Sequence, residues 1–354
     1  MKIACLQFAP QLGKVQANME KANKILEETN DLRPTADGRP LWLVLPEMAF
    51  SEPSCAGPST QWAVNIARHY SIFVTVGYPE VAKPADSADP TSKSVNYNST
   101  VTVSPQGVVI GSYRKRFLYY TDETWAHEGD GKTASGFFAG PLGPLGDVSM
   151  GICMDINPHK FLASWSAYEF ANHVIDSGTP LVVLSMAWLT RLTTQELAEL
   201  PLRPDEETFA YWMQRFQPLI EGKKGPIAVV CANRCGIEGN ACYAGTSSVF
   251  VVDKGNVNIY DVMGKLEEKC MVVDLMRAPK YALQRSTCPG VAWPSDPNAT
   301  VPEYGADFVL SRYPPIAFYA FIKVPASIPS AVHPVAHIAK PSRVREIEAL
   351  VCDS

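Results

Sequence analysis

Val148-Ser149-Met150-Gly151-Ile152-Cys153-Met154-Asp155 is mostly apolar up to a thiol and turns polar soon after it. A buried strand reads this way when it delivers one reactive side chain to the mouth of a sheet. Asn157 and Pro158 follow, a good N-cap and a residue suited to a first helical turn, and the pattern predicts a helix from about His159 to Ile175. The thiol then lies near a helix N-terminus, where the dipole favours thiolate. Two more strand-end motifs lie upstream, Leu45-Pro46-Glu47 and Tyr113-Arg114-Lys115. A carboxylate, an ammonium and a thiol, each at a strand end, suggest a cysteine hydrolase that needs no histidine. Each signal is weak alone. Most free cysteines are inert small hydrophobes, and a Glu or Lys at a strand end is ordinarily surface charge. Jointly they point to a site.

Composition narrows the classes. The 354 residues are 46% apolar and 19% charged, enough for one large domain or two small ones with a sizeable core. A net charge of -5 without a basic block argues against a nucleic-acid surface. No stretch reaches the roughly 18 apolar residues of a membrane span. Met1-Lys2-Ile3-Ala4-Cys5-Leu6-Gln7-Phe8 enters a strand at once, so no signal or transit peptide is expected. Nine scattered cysteines read as reduced thiols of a cytoplasmic protein. Cys231, Cys235 and Cys242 cluster without a second pair or nearby histidines, so no metal is expected there.

Strand and helix signals alternate. Strands are expected at 3–9, 41–46, 71–78, 147–153, 180–186, 226–232 and 270–275, and helices at 17–30, 61–70, 159–176 and 206–221. Residues 98–116 and 245–262 read as hairpins with glycine turns, and 82–95 as a polar surface loop. Two βα-rich halves suggest two sheets packed face to face with helices outside. Residues 1–285 form the expected catalytic domain. Residues 286–354, rich in Pro, Ala and aromatics, form an irregular C-terminal extension expected to pack on it.

Amide hydrolysis needs a nucleophile, a base, an acid for the departing nitrogen and charge stabilisation. A free thiol has a pKa of about 8.5, so only a few per cent is thiolate at neutral pH. Glu47, at the end of an apolar strand, suits the base, and Lys115 suits an oxyanion partner. Leu45-Pro46-Glu47, Tyr113-Arg114-Lys115-Arg116-Phe117-Leu118 and Gly151-Ile152-Cys153-Met154-Asp155 resemble, in that order, the glutamate, lysine and cysteine motifs of the nitrilase (carbon–nitrogen hydrolase) superfamily. Ala232-Asn233-Arg234-Cys235-Gly236 and Gly245-Thr246-Ser247-Ser248 resemble its later structural motifs. The resemblance implies an α/β fold, a four-layer αββα sandwich.

A narrower resemblance rests on Phe117-Leu118-Tyr119-Tyr120-Thr121-Asp122-Glu123 with Trp125, on Gly151 through Phe161 with Phe170, and on Met186-Ala187-Trp188-Leu189. These are similar to fungal protein N-terminal amidases. Such enzymes convert N-terminal Asn and Gln of proteins to Asp and Glu, release ammonia and feed an N-terminal degradation signal. The resemblance implies that Cys153 attacks the carboxamide and Glu47 shuttles protons, with Lys115 and the Met154 N–H holding the oxyanion. It also implies a second glutamate, matched best by Glu128, that positions substrate or Lys115. No cofactor is implied.

The substrate's α-ammonium needs a carboxylate, for which Asp122, Glu123 and Asp155 are candidates. Asp155, just before an expected helix, could equally serve backbone N–H groups. Trp125 and Trp188 could wall a pocket, although buried tryptophan is more often core. Asn98 and the Asn233-Arg234 pair are expected to satisfy backbone or inter-strand hydrogen bonds. A Cys–His hydrolase using His127 or His159 would leave Glu47 and Lys115 unexplained. A small-molecule amidase or carbamoylase, or a non-catalytic N-terminus adaptor, are the rival readings. Oligomeric state and Asn/Gln preference are open at this level.

Overall fold

The computed structural model describes residues 1–50, 57–82, 94–131, 133–222, 225–285 and 319–323. Its first half runs β1 (Lys2–Gln7), α1 (Val15–Glu27), β2 (Leu41–Val44), α2 (Pro58–Tyr70) and β3 (Phe73–Ala82), with the three strands parallel. Parallel strands covered on both faces must be apolar throughout, and β1 and β2 are buried at every position. Alternate residues of β1 serve two cores. Ala4 and Leu6 meet Met19, Ala22 and Leu26 of α1 and Trp62, Ala63 and Ile66 of α2, whereas Ile3 and Cys5 join the opposite cluster. β4 (Val95–Val103) and β5 (Val109–Arg114) extend the sheet antiparallel from β3.

The second half repeats the plan with β6 (Phe138–Pro141), β7 (Asp147–Ile152), α3 (Glu169–Ser177), β8 (Leu181–Met186), α4 (Thr194–Ala198), α5 (Glu206–Arg215), α6 (Gln217–Glu221) and β9 (Ile227–Asn233). There follow β10 (Cys235–Glu238), β11 (Ala241–Ala244), β12 (Ser248–Asp253), β13 (Asn256–Val262), β14 (Lys269–Asp274), β15 (Tyr281–Arg285) and β16 (Tyr319–Lys323). The first sheet has the order β14-β1-β2-β3-β4-β5 and the second β16-β15-β13-β12-β9-β8-β7-β6, while β10 and β11 form a separate hairpin. The cluster holding Ile3, Cys5, Trp42 and Val44 also holds residues of β7, β8 and β9 together with Phe170 of α3, Phe209 and Trp212 of α5 and Leu219 of α6. The layers are therefore helices, sheet, sheet, helices, the expected αββα sandwich. β14 crosses back to pair with β1 and stitches the halves together.

The long helix after the thiol is not formed. Residues 153–167 make short 3-10 turns, Lys160 and Phe161 take left-handed φ of 54° and 56°, and α3 starts only at Glu169. A left-handed residue ends the run of right-handed turns that an α-helix needs. Asn157 caps no helix; its Oδ1 accepts from Tyr211 Oη. The expected helix 206–221 is two helices, interrupted at Phe216 and restarted with Pro218 in its first turn. Proline lacks the N–H that a continuous helix would use. β6, α4, β10, β11 and β15 had no counterpart in the sequence reading. The loop expected at 82–95 lies largely outside the described residues, as does the extension 286–354 except for β16, which pairs with β15.

Two glycines set close approaches at the top of the sheets. A Cβ on Gly77 would sit 2.6 Å from Pro46 O and 2.7 Å from Glu47 Cα. A Cβ on Gly151 would sit 2.7 Å from Leu184 Cδ2 and 2.8 Å from Phe170 Cε2. Gly77→Ala is expected to push the Glu47 backbone away, costing about 1–3 kcal/mol of stability, the range for overpacking. Urea unfolding measures that cost, and unchanged stability would mean that the β2–β3 approach has slack.

Candidate active site

The ends of both sheets converge on Glu47. Leu45 N–H donates to Thr75 O in the first sheet at 2.9 Å, while Ser185 Oγ of β8 donates to Leu45 O at 2.8 Å. Glu47 N–H reaches Met186 O at 3.3 Å, and Met48 beyond it takes φ 51°. The Glu47 carboxylate is buried and fully engaged. Lys115 Nζ at 2.7 Å and Asn98 Nδ2 at 2.6 Å both donate to Oε1, and Ala187 N–H donates to Oε2 at 2.9 Å.

Lys115 leaves the end of β5 held at both backbone ends. Its N–H donates to Asn98 O at 2.7 Å, and its carbonyl accepts from Gly129 N–H at 2.8 Å. The side chain is 1% exposed. Its ammonium lies between Glu47 Oε1 and Asp122 Oδ2, at 2.7 and 2.6 Å. Burial alone would lower the lysine pKa; the Glu47 and Asp122 charges overcome it and hold the group above its ordinary value, so it stays an ammonium.

Asp122 is therefore spent on the lysine. Its Oδ2 also accepts from Tyr119 N–H at 3.2 Å, and its Oδ1 from Asn98 Nδ2 at 3.3 Å. That corrects its candidacy for a substrate ammonium. It also corrects the expectation that Glu128 orients Lys115. Glu128 faces away, accepting from Arg116 Nη1 at 2.8 Å, with His159 Nε2 3.0 Å from its other oxygen. Asn98 is likewise more than an inter-strand residue, because its amide bridges the two carboxylates.

Cys153 follows β7 in a one-turn 3-10 segment, with φ 40°. A non-glycine residue in this region is strained, and such strain often marks a functional turn. Burial pushes the thiol pKa well above its ordinary value, and the Glu47 charge adds to this; Lys115 and the Ala187 N–H pull the other way. The helix expected to favour the thiolate is missing, so no long helix dipole offsets burial. Met154, second in the turn, has no carbonyl behind its N–H within that turn. Its side chain is buried, with Asn157 Nδ2 3.3 Å from its sulfur.

Asp155 is fully buried and accepts four hydrogen bonds, which removes it from the substrate-binding candidates. Ile152 N–H (2.7 Å) and Tyr113 Oη (2.8 Å) donate to Oδ2, and Arg116 N–H (3.1 Å) and Phe117 N–H (2.7 Å) to Oδ1. Burial lifts its pKa to about 6 against the pull of these donors, still ionised at neutral pH. One carboxylate thus ties the residue before Cys153 to the residue after Lys115.

Glu123 is exposed, with Lys160 Nζ 3.4 Å away, an ion pair joining the segments after the lysine and after the thiol. Trp125 is half-buried and closes the Asp122–Thr124 turn through its N–H to Asp122 O at 3.0 Å. Trp188, next to Ala187, packs its ring against Tyr211 and Trp212, with Asn233 Oδ1 on its N–H. His159 is turned to Glu128, and His127 packs near Tyr97, away from a Cys–His pairing. Sequence reasoning missed Tyr119 and Tyr243. Burial raises both phenols, Tyr243 to about 12, and a charge on Cys153 would add to each. Tyr119 lay inside a quoted motif; Tyr243 belongs to a hairpin that carried no signal. Among the described residues no group of three or more His, Cys, Asp or Glu side chains could hold a metal ion. Nor is any helix among them long and apolar enough to cross a membrane.

The chain was compared with known proteins. Residues 2–203 match the family model described as carbon-nitrogen hydrolase. Over 303 residues the chain is 31% identical to a protein of Schizosaccharomyces pombe named protein N-terminal amidase, covering 78% of this chain and 99% of that one. A protein of the same name from Saccharomyces cerevisiae is 28% identical over 219 residues, 53% of this chain and 45% of its own length. A crystal structure of N-terminal amidase superposes with a TM-score of 0.64 at 20% identity, over 77% of this chain and 96% of that one. The same protein, bound to an Asn-Glu-Ala peptide, gives 0.62. The matched segment contains Glu47, Lys115 and Cys153 together, and this chain belongs to the carbon–nitrogen hydrolase family.

Proposed function

We propose that this protein is a protein N-terminal amidase, a hydrolase that converts the side-chain carboxamide of N-terminal Asn, and of Gln, to the carboxylate with release of ammonia. The observation that carries this reading is the relation to the S. pombe amidase along nearly all of that protein's length. The peptide-bound crystal structures of N-terminal amidase, with Asn-Glu-Ala and Gln-Val, support the substrate class. We further propose that it acts in the cytoplasm, where its acidic products mark proteins for degradation.

The geometry supports the following roles. Glu47 takes the Cys153 proton as the thiol attacks the carboxamide carbon. Lys115, kept cationic by Glu47 and Asp122, and the Met154 N–H receive the oxyanion. Glu47 gives its proton to the departing ammonia, leaving a thioester. Water deprotonated by Glu47 attacks it, and collapse of the second tetrahedral intermediate frees the carboxylate and Cys153. With Asp122 and Asp155 engaged, Glu123 is the carboxylate of the three left to bind the α-ammonium, swinging from Lys160. Glu128 fixes Arg116 and His159 beside the site, and Trp125 and Trp188 supply apolar wall.

Ammonia release from a peptide beginning with Asn is expected, absent from its Nα-acetylated form and from Cys153→Ala. Release only from free glutamine, simple amides or N-carbamoyl amino acids would replace this reading with the small-molecule one. Asp122→Asn should lower kcat about 10- to 100-fold, the worth of one charge-assisted bond, with KM nearly constant. A large rise in KM instead would put Asp122 on the substrate. Glu123→Ala should raise KM for the Asn peptide about tenfold or more while alkylation of Cys153 keeps its rate. An unaltered KM would remove Glu123 from the ammonium site.

A further inference from the structure

We propose that Asn98 is the positioning residue that orients the general base. The inference rests on Glu47 serving as the base for Cys153, and it concerns how that carboxylate is presented.

Asn98 is 1% exposed in β4, a strand of the first sheet. Its Nδ2 donates to Glu47 Oε1 at 2.6 Å and to Asp122 Oδ1 at 3.3 Å, and its own carbonyl accepts from Lys115 N–H at 2.7 Å. One residue therefore touches the base, the acid that holds the lysine, and the lysine backbone. The amide orientation is forced, because the reverse rotamer would aim a carbonyl oxygen at two carboxylates. In the orientation present, Asn98 Oδ1 is buried without a hydrogen-bond partner among the described residues. A buried amide that leaves its acceptor unused is there for its donor.

That donor decides which Glu47 oxygen reacts. Asn98 and Lys115 both occupy Oε1, whereas among the described residues Oε2 has the Ala187 N–H, which also pulls the Cys153 pKa down. Oε2 and the sulfur thus share one neighbour, and Oε2 is the oxygen that takes the thiol proton. Lys115 alone cannot enforce this, since its ammonium is divided with Asp122 and rotates about a flexible stem. The planar amide supplies a fixed direction.

The test uses the full chain and reads base function without substrate. Wild type, Asn98→Ala, Asn98→Asp and Glu47→Gln are compared for the rate of Cys153 alkylation by iodoacetamide between pH 5 and 9, for kcat and KM on an Asn peptide, and for thermal midpoint. Asn98→Ala should lower kcat about 10- to 100-fold, with KM within about twofold. It should also slow alkylation near neutral pH, with recovery in alkali. Asn98→Asp should retain activity at acid pH, where its protonated carboxyl can still donate, and lose it as that carboxyl ionises against Glu47 and Asp122. A loss equal at every pH and in parallel with the thermal midpoint would reduce Asn98 to a structural residue. Slowed alkylation in Glu47→Gln with unchanged alkylation in Asn98→Ala would overturn the proposal alone. Unchanged alkylation in Glu47→Gln would overturn the base assignment and the proposal with it.

Discussion

The Lys115 ammonium, sealed between Glu47 and Asp122, is the interaction on which the site depends. A lysine stripped of water would shed its proton unless opposite charge surrounds it. Two carboxylates so close would repel each other unless a cation divides them. Each group makes the others tolerable. Removing any one leaves a buried charge without its counterpart, which is worse than never having buried it. The αββα frame exists around this cluster in a literal sense: the first sheet supplies Glu47, Asn98 and Lys115, and the second supplies Cys153 and the Ala187 N–H.

Chemical division follows from that arrangement. The Glu47 and Asp122 charges hold the lysine as a cation against its burial. Burial and the Glu47 charge push the thiol pKa up, against Lys115 and the Ala187 N–H. Asp155 couples the two sheets mechanically by grasping both the lysine segment and the turn that bears Cys153.

Much of this was legible in the sequence. Buried parallel strands announce themselves as apolar runs, and a charged or nucleophilic residue at the end of such a run has few places to go, so Glu47, Lys115 and Cys153 could be placed before any coordinates. What was illegible depended on loops. Asp122 and Glu128 both follow Lys115 at short range, and only the turn at Asp122–Thr124 decides which carboxylate returns to it. Asn98 sits inside a strand and carries no mark that separates it from an ordinary pleat position. The false helix after Cys153 arose because Asn157-Pro158 is a persuasive start signal, while the left-handed Lys160 and Phe161 leave no compositional trace. Pro218 marks in the sequence the break that divides the helix expected at 206–221.

The raised pKa of the buried Cys153 thiol bears on oxidation as well. Peroxide and stray electrophiles in a cell react with thiolate far more readily than with thiol. A cysteine whose pKa is raised by burial presents less thiolate to oxidants. Burial of Cys153 therefore bears on its resistance to oxidation as well as on its chemistry.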